Sequence, residues 1–153
     1  MTKLENILVP TDLDENSNHA LAYGRELAAT YGATLHLFHV VESIWSGSLT
    51  VADFPGQMDN YYQQYRQASE TGLKNMAKKI KEVEVKTALI EGTPHTEIVR
   101  YAREHKIDLI VLATHGRTGL SHMLIGSVAE KVVQMAPCPV ITIKHPEHEF
   151  VLP

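Results

Sequence analysis

The sequence predicts an α/β protein, a three-layer α/β/α sandwich built on a five-stranded parallel sheet. Three observations carry this. Short aliphatic or β-branched runs alternate along the chain with stretches of helical period. Ile7-Leu8-Val9 and the run from Asp108 to Ala113 are continuous apolar segments, the mark of strands covered on both faces. The 153 residues are one domain's worth of chain, and a domain of this size buries about 68–70% of its unfolded surface without disulfides or a structural metal.

Each element has its own local reason. Pro10 closes the first strand, and Pro10-Thr11-Asp12 leads into a helix whose apolar positions Ala20, Tyr23, Gly24, Leu27, Ala28 and Tyr31 form one stripe. Gly32 is placed to end it in a left-handed cap. Thr34 to Val41 is β-branched and aromatic, a second strand. Residues 42–57, with Trp45 among Ser, Gly and Pro, break the rhythm and suit a lid, a partner surface or a mobile loop.

Met58, Tyr61, Tyr65, Ala68, Gly72, Met76 and Ile80 then keep a 3–4 spacing that predicts a long helix to about Lys81. Lys78, Lys79 and Lys81, interleaved with Glu82 and Glu84, suit a solvated face. Val83 to Ile90 follows as a strand. Thr93-Pro94 combines an N-cap with proline at the first helical position, and Ile98, Val99 and Ala102 turn that helix inward. After the strand Asp108–Ala113 comes a glycine-bearing loop, then a helix from Ser127 to Ala136. Ser127 and Glu130 stand at capping-box spacing there. Pro137-Cys138-Pro139 stops it, and Val140 to Ile143 is the last strand. The domain is expected over 1–144, with a frayed tail over 145–153.

Composition removes several classes. Hydrophobic residues at 44% and charged residues at 21% exclude wholesale disorder, and a net charge of −4 advertises neither nucleic acid nor an anionic membrane. The single cysteine, Cys138, excludes a disulfide framework and a Cys-rich zinc module. No apolar run approaches the ~18 residues of a membrane span. Glu5 interrupts what a signal peptide would need to be apolar. The expectation is a soluble protein of a reducing compartment, the cytoplasm.

In parallel sheets, ligands bind beyond the carboxyl ends of the strands where strand order reverses. That directs attention to Pro10-Thr11-Asp12, to Val40-Val41 and to the segment from Ala113. The latter leaves a buried strand, passes Gly116 and Gly119, and re-enters a helix at Gly126-Ser127. Glycines let backbone N–H groups wrap an anion, a helix start adds unpaired donors, Ser127 offers a hydroxyl and Arg117 a bidentate fork. Phosphate is the natural guest, although the same glycines also suit a turn with no ligand. Neither a Walker loop nor a G-x-G-x-x-G after the first strand is present.

The opening NILVPTD, the His39-Val40 end of the second strand and THGRTGLSHMLIGSVAEKVVQMAPCPVITIK resemble the universal stress protein family, from about Leu4 to Lys144. That resemblance implies an adenine nucleotide alpha hydrolase-like fold, a homodimer, and in one branch an ATP loop of pattern G-x2-G-x9-G-[ST]. Gly116, Gly126 and Ser127 match the pattern; its first glycine is Ala113 here. By the same resemblance Asp12 would bond the ribose or help hold a metal at the phosphates, the Val40 backbone would meet the adenine edge, and Pro10 and Thr11 would line the base pocket. Gly116, Arg117, Gly126, Ser127 and Val128 would hold the phosphates of ATP or AMP, with or without Mg²⁺.

Three functions follow: a regulatory adenine-nucleotide module of the stress response, acting by conformational change and partner binding; a slow ATP hydrolase, though no general base is evident; and a nucleotide-free homodimer, which Ala113 keeps open. No resident metal is expected: His36 and His39 point to opposite faces of a strand, and His115 and His122 are spread over a loop. Cys138 suits a packed thiol, and Ser121 and Ser127 lack a nucleophile-elbow motif. The last strand, Val140–Ile143, is an edge left for a second copy of the chain.

Overall fold

The computed structural model describes residues 3–42, 56–114 and 125–144. The elements alternate as expected: β1 (Asn6–Pro10), α1 (Glu15–Tyr31), β2 (Thr34–Val41), α2 (Gln57–Lys78), β3 (Val85–Glu91), α3 (Pro94–Glu104), β4 (Leu109–Ala113), α4 (Ser127–Met135) and β5 (Val140–Ile143). The strands form one sheet in the order β3-β2-β1-β4-β5. Every neighbouring pair is parallel. Loop residues 43–55 and 115–124 and the tail 145–153 lie outside the described residues.

The period-2 geometry of the strands divides the core into two. Ile7, Val9, Leu35, Leu37 and Val111 pack against Ala20, Leu21 and Ala28 of α1 and Leu73 of α2. Leu8, Phe38, Ile110 and Leu112 meet Ile98, Tyr101 and Ala102 of α3 and Ala129 and Val132 of α4. The sheet is therefore covered on both faces, which is why Ile7 to Val9 of β1 and Leu109 to Ala113 of β4 are apolar on consecutive residues.

Two helices depart from the stripes expected from sequence. In α1, Leu21 is buried while Tyr23 and Tyr31 are 53% and 56% exposed. The helix turns Ser17, Ala20, Leu21, Gly24 and Ala28 to the sheet because Gly24 permits close approach: a methyl group there would collide with Val9 Cγ2. In α2, Tyr62, Ser69 and Leu73 are buried, whereas Tyr61 is 65% exposed. In α1 Ala20, Gly24 and Ala28 are buried as expected and the flanking tyrosines are not; in α2 the buried face lies about one position from the expected stripe. α2 also ends at Lys78 rather than Lys81, although Ile80 still reaches the core.

The capping box expected at Ser127 and Glu130 does not form. Gly126 is the N-cap, no side chain bonds there, and the Glu130 N–H donates to the Gly126 carbonyl at 3.0 Å. Thr93 is the N-cap of α3 with Pro94 at its first turn, as expected, and Gly32 closes α1 at φ 65°.

Candidate functional site

The chain runs outward from β1 through β2 to β3, then returns to the other side of β1 for β4 and β5. The strand order thus reverses between β1 and β4, and their carboxyl ends open a crevice there. Two structures stand at these ends: the turn from Pro10 to Asp14, and Thr114 with the start of α4.

The first is held from three directions. The Thr11 N–H donates to Phe38 O at 2.8 Å, and the Thr11 carbonyl accepts from His39 Nδ1 at 2.7 Å. Thr11 Oγ1 accepts from the Leu13 N–H at 3.0 Å, and the Asp12 N–H donates to Ser17 Oγ at 2.9 Å. Asp14 Oδ1 caps α1 by accepting from the Ser17 N–H at 3.0 Å. Capping of α1 therefore belongs to Asp14, and the neighbouring Asp12 is half-buried. Leu13 adopts φ 63°, a left-handed conformation that costs a non-glycine residue on the order of 1 kcal/mol and is retained where surroundings enforce it.

Beside this turn lies the end of β2. Thr34 donates to Glu5 O and Phe38 accepts from Thr11 N, so even-numbered residues of β2 direct their backbone groups toward β1. Val40 does so too, one step beyond the last β1–β2 register pair, Pro10↔Phe38. Its N–H and C=O consequently point to the β1 side of β2, past the last rung of that ladder.

On the other flank, Thr114 is 1% exposed and acts as a tie. Its N–H donates to Ile143 O at 2.9 Å, and its carbonyl accepts from the Gly126 N–H. The start of α4 is thereby fastened to the end of β4. No side chain caps α4, and among the described residues no acceptor meets the first-turn N–H groups of Ser127, Val128 and Ala129. The helix dipole adds partial positive charge there, which the exposed Glu130 carboxylate partly opposes. Val128 packs its side chain against the second core cluster, so only its backbone is available. Ala113 packs its methyl group against the α1-side core.

The universal stress protein family profile matches residues 3–144. This chain belongs to that family. Universal stress protein MJ0531 of Methanocaldococcus jannaschii is 33% identical over 147 residues, 95% of this chain and 85% of that protein. The solved structure of universal stress protein UspA from Lactobacillus plantarum matches with a TM-score of 0.83 at 28% identity, covering 94% of this chain and 99% of that one. A universal stress protein from Archaeoglobus fulgidus, solved in complex with dAMP, matches with a TM-score of 0.59 at 22% identity, covering 94% and 100%.

Of the site residues expected for this universal stress protein, Pro10, Thr11, Asp12, Val40 and Ala113 stand at or next to the carboxyl ends of β1, β2 and β4, and Gly126, Ser127 and Val128 at the start of α4. Gly116 and Arg117 fall outside the described residues. Gly126 adopts φ −68°, a conformation open to any residue, so what glycine contributes at 126 is the absence of a side chain. Sequence reasoning missed Thr114, His39 and the Asp14–Ser17 pair. Only the last has a local signal, an N-cap Asp three residues before Ser.

Other titratable groups lie elsewhere. The Cys138 thiol is pushed up by burial and secondarily by Asp108, which keeps it protonated and unreactive. Among the described residues no three His, Cys, Asp or Glu side chains converge to hold a metal, and no helix is long and apolar enough to cross a membrane.

Proposed function

We propose that this universal stress protein is a regulatory module that binds an adenine nucleotide, ATP or AMP, at the β1/β4 crevice. What supports the reading is that two recognition elements lie at the carboxyl end of the one sheet. On one side the Val40 backbone presents a donor and an acceptor. On the other, the uncapped start of α4 presents N–H groups suited to phosphate. Asp12, at the carboxyl end of β1, is the residue we assign to the ribose hydroxyls or a phosphate-bound Mg²⁺. Gly116 and Arg117 complete the phosphate loop in this reading.

The Archaeoglobus fulgidus relative has been solved with dAMP. It shares the fold, and the case for this chain rests on the chain's own donors and acceptors. Ala113 does not favour the nucleotide-free alternative, because its methyl group is engaged with the core.

The output we propose is partner binding in a stress response, by a cytoplasmic homodimer paired through β5. Ile110 donates to Pro139 O and Thr114 donates to Ile143 O, so odd-numbered residues of β5 bond to β4. Val140 and Thr142 therefore turn their N–H and C=O outward. Ile141 on β5 and Val133 and Met135 on α4 are exposed apolar residues near that edge. Calorimetry with ATP and AMP, each with and without Mg²⁺, tests the nucleotide reading. Heat of binding and a thermal shift are expected; neither at millimolar nucleotide overturns it.

A further inference from the structure

The β1–β2 ladder stops abruptly, and side chains stop it. A parallel ladder continuing past Pro10 would next join the Val40 N–H to the Thr11 carbonyl, then the Leu13 N–H to the Val40 carbonyl. The last rung made is Thr11 N–H to Phe38 O, 2.8 Å. At the position of the next rung the Thr11 carbonyl instead accepts from His39 Nδ1 at 2.7 Å. At the one after, the Leu13 N–H is taken by Thr11 Oγ1 at 3.0 Å. A carbonyl only accepts, so Nδ1 of His39 carries the proton. The ring is 3% exposed, so water does not compete for this bond. Leu13 then leaves the extended conformation at φ 63°, and among the described residues neither rung is made.

We propose that His39 is a positioning residue for base recognition: it draws the Thr11 carbonyl out of the ladder and so keeps the Val40 N–H and C=O open to a ligand. This rests on the reading of the crevice as an adenine-nucleotide site and names what sets its base preference. Val40 offers one donor and one acceptor along a single edge. Adenine presents a ring-nitrogen acceptor beside an exocyclic amine donor and matches it. Guanine carries a carbonyl oxygen where adenine carries the amine, and would set acceptor against acceptor. His39 thus acts through Val40, without touching the base.

Three proteins test this: wild type, His39→Leu, which removes the donor, and His39→Gln, whose side-chain amide restores one. The probes are ATP, GTP and inorganic triphosphate, together with hydrogen exchange at the Val40 amide in the unliganded protein. His39→Leu is expected to weaken ATP about tenfold, the worth of roughly one hydrogen bond. Its affinity for triphosphate should be unchanged, its preference for ATP over GTP should collapse, and its Val40 amide should become protected as the ladder extends. His39→Gln should restore the preference. A Val40 amide in wild type as protected as that of Phe38 overturns the proposal. So does a His39→Leu protein that keeps its ATP affinity, or one that loses ATP and triphosphate by the same factor. If His39→Leu fails to fold, the wild-type amide and His39→Gln decide the matter. Should wild type bind no nucleotide, the function fails, while the exchange measurement still tests the ladder.

Discussion

The hydroxyl of Tyr101 donates to Nδ1 of His36 at 3.0 Å, while Nε2–H of the same ring donates to Asn6 Oδ1 at 3.1 Å. One imidazole thereby bridges α3 to β1 from within β2, at 2% exposure. Both ring nitrogens are committed in the neutral form, and Tyr101 is braced in turn by stacking on His105 at 3.8 Å between centroids.

This arrangement makes the fold acid-sensitive. Burial first, then the positive charges of Lys86 and His105, hold His36 down to about 4 against an ordinary 6.5, with Glu84 opposing weakly. The unfolded chain binds the proton more readily, so the contribution is complete above pH 6.5 and is lost as pH falls toward 4. The loss is at most about 3 kcal/mol, of which about 2 kcal/mol falls between pH 7 and pH 5. Urea unfolding at pH 7 and pH 5 should show it, and His36→Gln should flatten the difference between them. An unchanged slope in that variant would place the acid sensitivity elsewhere.

Asp14→Ala should cost about 1 kcal/mol of stability, because Asp14 is the side-chain cap of α1 and holds Ser17 in place. Asp12→Ala should cost less stability, since Asp12 does not cap α1, and more nucleotide affinity. Thermal melts and calorimetry on the two variants separate these roles. Equal behaviour in both assays would mean that the turn acts as one unit.

Gly126→Val should abolish nucleotide binding while leaving the fold intact, since φ −68° accommodates a side chain and only the space over the start of α4 is lost. Ser127→Ala should weaken binding by roughly 0.5–1.5 kcal/mol, one hydrogen bond's worth. Isothermal titration of both checks this. Wild-type affinity in Gly126→Val would move the phosphate site away from α4.

Thr142→Pro should shift a dimer toward monomer without unfolding the sheet. The N–H it deletes points to the free edge of β5, while the rungs to β4 use residues on either side. Light scattering at tens of micromolar reads the outcome. A wild-type monomer at that concentration would remove the basis for pairing through β5.

The element order was legible because every strand carries its own apolar run and every helix its own period, both local properties. The position of the site was legible for a similar reason: Pro10-Thr11-Asp12, Val40 and Gly126-Ser127 all stand at element ends. Helix rotation was not, since Leu21 and Tyr23 are both apolar enough to face inward and only the Gly24–Val9 contact selects between them. His39 and Thr11, 28 residues apart, leave no local pattern of their bond. Ser127 satisfied a capping motif that the Gly126 backbone displaced, because the Thr114 carbonyl holds Gly126 in the capping position.

The register between β1 and β4 comprises only Ile7↔Leu109 and Leu8↔Ile110, joining positions 102 residues apart. The first three strands pair over separations of 28 and 50 residues; this seam requires closing most of the chain, at the entropic cost of a longer loop and a slower step. Asp12 and Val40 stand on one side of the seam, Thr114 and Gly126 on the other. A chain that has emerged only as far as β3 therefore displays half of the candidate site and can hold no nucleotide between its halves. Ligand binding would then serve as an audit of completed synthesis and folding, available only to molecules in which both ends of the chain have met.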